Sequence, residues 1–161
     1  IGPGDLSITG NELANRLYGN DNNNALSGLD GDDIIGGLAG ADVITGGAGR
    51  DLLTGGAGND SFVYQSITDS GVTGASRDII YDFTQGQDLI NLSAIDAITG
   101  GGDDSFNFIG NSAFTNTAGE LRYETSGGYT VIYMDVNGDG IADSQIALVG
   151  NVPLTSADFG L

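Results

Sequence analysis

At 161 residues the chain has the length of one domain, or of two small ones sharing a core, and its formal net charge of −18 comes from 22 acidic residues against four arginines and no lysine. That balance excludes nucleic acid and anionic membrane as default partners. Cysteine and histidine are absent, which removes disulfides, thiolate chemistry, imidazole catalysis and most transition-metal sites, leaving oxygen donors suited to a hard cation such as calcium.

The opening stretch, IGPGDLSITG, lacks the basic start and apolar stretch of a secretory signal, and no apolar run in the chain reaches the ~18 residues that span a bilayer, so export would need another route or an upstream segment. From Gly10 the sequence repeats every nine residues. Glycine holds position one at Gly10, Gly19, Gly28, Gly37, Gly46 and Gly55. Position six reads Asn15, Asn24, Asp33, Asp42, Asp51, Asp60, and position eight reads Leu17, Leu26, Ile35, Ile44, Leu53, Phe62. Position four is Leu13 and Asn22 in the first two copies and Gly31, Gly40, Gly49, Gly58 in the rest, so the two N-terminal copies are degenerate and the last four sound.

Each unit therefore predicts a six-residue glycine-rich loop and a three-residue strand whose middle side chain points inward. Stacked two units to a coil of eighteen residues, the strands form two facing parallel sheets around one apolar row. Six such side chains are a small core for so much ordered glycine, so the roll is expected to need a ligand. The carboxylate column names it: Asp33 should stack near Asp51 and Asp42 near Asp60. Two carboxylates with bared carbonyls of the loop glycines Gly31, Gly40, Gly47, Gly49, Gly56 and Gly58 make a six-oxygen cage for Ca2+. Asn15 with Asp33 and Asn24 with Asp42 should make weaker cages. Asp69 and Asp78 continue the nine-residue phase, which would place Asp78 one coil beyond Asp60.

The stretches GLDGDDIIGGLAGADVIT and GGAGRDLLTGGAGNDSF resemble the GGxGxDxUx nonapeptide of RTX proteins. The following DSFVYQSITDSGVTGASRDIIYDFTQGQDLINLSAID and the later GELRYETSGGYTVIYMDVNGDGIADSQIALVGNVPLTSADF are similar to the C-terminal domain of serralysin-type metalloproteases, with Asn91 where that family usually has Asp. Mannuronan epimerases carry similar modules. The resemblance implies an all-β fold: a right-handed parallel β-roll over residues 1–63, with degenerate N-terminal repeats, and a capping antiparallel β region over 64–161 packed on it as one unit. It also implies calcium between coils, export of a parent protein by a type I secretion machinery, and an N-terminal catalytic or adhesive domain elsewhere in that parent. The zinc-protease activity does not transfer, because no residue here matches its histidine-rich helix.

Within DFTQGQD the resemblance favours Asp88 as a ligand of the last calcium, while Asp82 reads as a cap of its own turn. The aromatic residues, concentrated after the roll, read as the core of the cap, with a sugar-stacking row as the alternative. DVNGDGIAD, Asp135 to Asp143, has the spacing of an EF-hand-like loop without its closing glutamate, since Ile146 stands there; a plain hairpin turn is the competing reading. SADFGL is compatible with a C-terminal export signal.

The leading expectation is a monomeric, non-enzymatic module that binds several Ca2+ ions and folds on secretion to the extracellular side. The alternative is an accessory alginate- or other polysaccharide-binding module of a secreted carbohydrate-active enzyme. Against that alternative stands the need for a basic stripe, which four arginines scattered along the sequence do not make.

Overall fold

The computed structural model describes residues 4–100 and 102–161, so residues 1–3 of the expected roll lie outside it. In chain order the strands are β1 (Ser7–Thr9), β2 (Arg16–Tyr18), β3 (Ala25–Ser27), β4 (Ile34–Ala39), β5 (Val43–Thr45), β6 (Leu52–Ala57) and β7 (Ser61–Val63). They continue with β8 (Asp78–Ile80), β9 (Leu89–Asn91), β10 (Asn107–Phe108), β11 (Glu120–Ser126), β12 (Tyr129–Asp135), β13 (Ser144–Val149) and β14 (Phe159–Gly160). No helix among the described residues is long and apolar enough to cross a membrane.

Every repeat tail at positions seven to nine is a strand, and alternate units go to opposite sheets. One sheet orders β1-β3-β5-β7-β9-β14; the other orders β10-β11-β12-β13-β8-β6-β4-β2. Within the roll all pairing is parallel and in register by eighteen residues, as in Leu17 opposite Ile35 and Leu26 opposite Ile44. The position-eight side chains from Leu17 to Phe62 are all buried and form one core, continued by Ile80, Ile90, Leu121, Ile132, Ile146 and Leu148. Side chains of a strand alternate between faces, so a single inward residue per three-residue strand is what that short element can supply.

The parallel ladders do not stop at residue 63. β8 pairs with β6 and β9 with β7, so Asp78 lies one coil beyond Asp51, not beyond Asp60 as the nine-residue phase predicts. The inserted loop 64–77 shifts the phase by a whole unit, which returns the chain to the Asp51 edge. β13 then adds in parallel to β8, with β12 and β11 antiparallel beyond it, and β14 adds to β9. The cap thus extends both sheets of the roll.

Asp82 shows how the stack ends. In earlier coils the loop amide of position one finds a carbonyl in the next coil, as in Gly19 N to Gly36 O at 2.9 Å and Gly28 N to Thr45 O at 3.0 Å. Gly55 and Gly56 instead donate to the two oxygens of Asp82, at 2.9 and 2.8 Å. Asp82 caps the turn of the preceding coil and not its own, because those two amides would otherwise lack acceptors. Replacing it, Asp82→Ala, should lower stability by about 1–3 kcal/mol, read as a shifted urea midpoint in excess calcium.

Candidate metal centre

The position-six side chains occupy the inside of the turns. Asp33, Asp42, Asp51, Asp60, Asp78 and Asp88 are all buried, as is Asn24, while Asn15 at the worn end is half-buried. Each aspartate is held by one oxygen to the coil before it. Asn15 N donates to Asp33 Oδ1 at 2.6 Å, Asp33 N to Asp51 Oδ1 at 2.8 Å, and Asp51 N to Asp78 Oδ1 at 2.8 Å. On the other edge Asn24 N donates to Asp42 at 2.8 Å, Asp42 N to Asp60 at 2.9 Å and Asp60 N to Asp88 at 3.0 Å. These ladders pair Asp33 with Asp51 and Asp42 with Asp60, as the eighteen-residue coil predicts.

The second oxygen of five of these groups has no donor. Oδ2 of Asp33, Asp42, Asp51, Asp60 and Asp78 is buried and without a hydrogen-bond partner. Unpaired buried carboxylate oxygens are costly, and five on a regular lattice need a common counter-charge. Asp88 differs, since its Oδ2 accepts from Thr84 N at 2.7 Å. Asp69 lies outside the ladders: its Oδ2 accepts from Gln65 N and Ser66 N at 2.7 and 3.0 Å, which pins the inserted loop.

The position-one glycines border the same space, and sequence reasoning did not place them at the site. A Cβ on Gly37 would collide with Asp42 Oδ2 and come within 2.5 Å of the Gly55 carbonyl oxygen; a Cβ on Gly28 would strike Asp33 Oδ2 and lie 2.6 Å from Gly46 O. Glycine is required in this column because a side chain would fill the volume where carboxylate and carbonyl converge. The loop glycines named from the sequence stand in left-handed backbone. Gly31, Gly40, Gly47, Gly49, Gly56 and Gly58 all have φ between 102° and 142°, and Gly47 and Gly49 stack against the carbonyl oxygens of Leu29 and Gly31 of the preceding coil. Leu29 and Leu38 stand in column two with φ of 77° and 88°, a conformation that costs an L-residue about 1–2 kcal/mol.

An anionic side-chain oxygen beside main-chain carbonyl oxygens, with no competing nitrogen or sulfur, is the donor chemistry of a hard cation, and the orphaned oxygens and glycine-lined space fit Ca2+. No group of three or more acidic side chains is placed to hold one ion among the described residues, so carbonyls would supply much of the shell. The 135–143 loop holds no buried unpaired carboxylate oxygen. Asp135 accepts from Gly138 N and Gly140 N at 2.6 and 2.8 Å, and Asp143 from Val136 N at 2.8 Å, within the turn that joins β12 to β13.

Burial raises the carboxyl pKa values. Asp78 is pushed up to about 8, first by burial and then by the charge of Asp51. Asp51 reaches about 7 by burial with repulsion from Asp33, and Asp60 about 6 by burial with repulsion from Asp88. Burial likewise raises Asp33 and Asp88, and the buried Tyr64 phenol is held well above its ordinary value by burial and by Asp78. In the metal-free fold these carboxyls hold protons that the unfolded chain releases above about pH 4. Their contribution to stability is complete below that pH and is lost as pH rises through about 6, 7 and 8. In calcium-free buffer the β-sheet circular dichroism signal should therefore weaken between pH 5 and 8.5.

Ladders of buried aspartates threaded through a parallel roll, closed by an antiparallel cap, define a capped β-roll repeat module. The chain belongs to the Peptidase M10 serralysin C-terminal family, which it matches over residues 17–161. It is 38% identical over 97 residues to "Metalloprotease AprA" of Pseudomonas entomophila (strain L48), covering 59% of this chain and 19% of that one. It is 35% identical over 101 residues to "Serralysin A" of Dickeya chrysanthemi, covering 62% and 19%. The chain thus spans about a fifth of the length of these curated relatives. Among solved structures it is similar to the AlgE6R2 subunit of the Azotobacter vinelandii mannuronan C5-epimerase, at TM-score 0.69 and 28% identity over 94% of this chain and 90% of that one. The AlgE6R3 subunit of the same epimerase matches at TM-score 0.65 and 27% identity, over 93% and 79%.

Proposed function

We propose that this module binds several Ca2+ ions between its coils and folds when it meets them outside the cell, serving the export and assembly of a larger secreted protein and doing no catalysis itself. The observation that carries this reading is the set of five buried carboxylate oxygens without donors. Asp33, Asp42, Asp51, Asp60 and Asp78 supply charge; the carbonyls of Gly28, Gly37, Gly46 and Gly55 and of the loop glycines Gly31, Gly40, Gly47, Gly49, Gly56 and Gly58 complete the shells. Asn15 and Asn24 make weaker sites, lacking charge, and Asp88 contributes to the last site while closing its ladder.

Before calcium binds, at neutral pH, the acidic column resists winding, and an open chain can be threaded through a type I secretion channel. Outside, calcium at millimolar levels exceeds the ~0.1–1 mM dissociation constants of extracellular modules. Binding energy then becomes folding energy, since the unfolded chain has no preformed site. Membership of a family of C-terminal parts of metalloproteases supports a parent with a further domain, and the fold-level similarity to epimerase modules is consistent with the same role in a different parent.

The test is circular dichroism of the chain with graded calcium at pH 8. A cooperative gain of β structure is expected; a spectrum unchanged by chelator would sink the reading. Asp51→Asn keeps the ladder acceptor but removes the charge, and should raise the calcium midpoint several-fold, whereas Asp69→Asn should leave it nearly unchanged. Gly37→Ala should raise the midpoint at least tenfold, because its methyl enters the site; Gly74→Ala, whose Cβ would meet nothing closer than Arg77 Nη2 at 3.8 Å, should not.

A further inference from the structure

Tyr64 follows Gly55 by nine residues and so stands in the column that glycine holds in all six units before it. It lies eighteen residues after Gly46, one coil further along the edge that carries Asp33 and Asp51, and it ends the strand β7 that pairs with β5. In the earlier coils this column has a fixed partner. A Cβ on Gly10, Gly19, Gly28 or Gly37 would meet the carbonyl oxygen of the glycine one coil on, at 2.7, 2.6, 2.6 and 2.5 Å. On Gly46 the three nearest atoms would all belong to Asp51, and no carbonyl of the next coil comes as close. The main-chain oxygen that borders the earlier cages is therefore not in that place at the step from Asp51 to Asp78.

That step has a phenol instead. Tyr64 is 3% exposed and its ring packs in the apolar core, a task that phenylalanine would do as well. Its hydroxyl is the one hydroxyl among the described residues that is buried without a hydrogen-bond partner, and Oδ2 of Asp51 and Oδ2 of Asp78 share that condition. After burial, the charges of Asp78 and then Asp51 do most to hold the phenol above its ordinary value, so the three orphaned oxygens gather at one place. The other polar groups nearby are engaged. Asp51 N donates to Asp78 Oδ1 at 2.8 Å and Asp78 N to Ser70 Oγ at 2.8 Å. Asp69, in position six of Tyr64's own unit, gives its Oδ2 to the amides of Gln65 and Ser66. A water molecule can join three oxygens but leaves two like charges side by side. A cation answers all three at once.

We propose that Tyr64 belongs to the last cation site on this edge, where its hydroxyl oxygen joins Asp51 Oδ2 and Asp78 Oδ2 in the shell of one Ca2+ and replaces the position-one carbonyl. The inference rests on the calcium reading above and adds a donor that reading does not contain. A phenol oxygen is neutral, as a carbonyl is, so the exchange leaves the charge of the site as it is in the earlier cages. Glycine suits the column wherever a carbonyl of the next coil must approach, and a side chain is admitted only where that carbonyl does not come close.

The test uses terbium(III), a hard cation that takes oxygen ligands as calcium does and emits when a nearby aromatic ring is excited. The chain has no tryptophan, and Tyr64 is the buried one of its six tyrosines. Tyrosine-sensitised emission should fall about fivefold or more in Tyr64→Phe and in Asp78→Asn, and little in Tyr81→Phe, whose ring is exposed, while terbium excited directly stays bright in all three. Proximity alone does not make a ligand, so mass spectrometry under non-denaturing conditions counts bound calcium at a level just sufficient to fill the wild-type chain. One ion fewer is expected in Tyr64→Phe, one fewer in Asp78→Asn and one fewer in the double variant; a phenol that only packs would leave the count in Tyr64→Phe unchanged. Circular dichroism against calcium keeps the two readings apart, since Tyr64→Phe should still gain β structure. Should Tyr64→Phe not fold, Asp78→Asn, which retains a ladder acceptor, decides through its sensitised emission. Emission that persists in either variant, an unchanged ion count, or losses that add in the double variant would overturn the proposal. A wild-type chain that binds neither ion would overturn it together with the calcium reading.

Discussion

Five carboxylate oxygens buried without a donor are the constraint around which this molecule is arranged. A polar core of that kind is tolerable only if a cation or protons neutralise it, and the raised pKa values of Asp51, Asp60 and Asp78 show the proton side of that choice. The same aspartates also join the coils mechanically, each through Oδ1 to an amide one coil back. One side chain thus serves as winding strut through Oδ1 and leaves Oδ2 for the proposed ion, and at the worn end Asn24 keeps the strut, accepting from Leu6 N, without the charge.

The apolar row does a smaller share of the work in the roll and a larger one in the cap. Three-residue strands admit one inward side chain each, so the roll's interior is a single file, whereas β11, β12 and β13 contribute Leu121, Ile132, Met134, Ile146 and Leu148 from longer strands. Because β13 pairs directly with β8 and β14 with β9, the cap supplies the last coils with a firm end to wind from, and Asp82 satisfies the amides left over at that end.

Columns of identical residues were legible because period nine leaves no other assignment: the strands, the inward row and the pairing of Asp33 with Asp51 all follow from it. Asp78 was misplaced because the period silently skips a unit within 64–77, where only strand pairing reveals which edge the chain rejoins. Position-one glycines were read only as the phase of the repeat within its glycine-rich loop, while their place beside the site depends on an oxygen from another coil that no local pattern displays.

The sequence by itself determined the winding, the chemistry of the donors and the absence of any competing metal ligand, because a short exact period and a missing residue type are both local facts. Tertiary structure decided which oxygens remain unpaired, where the stack ends and which edge of the roll Asp78 joins. Each of those depends on groups a coil or more apart, and their separation is set by the pairing of strands and not by distance along the chain.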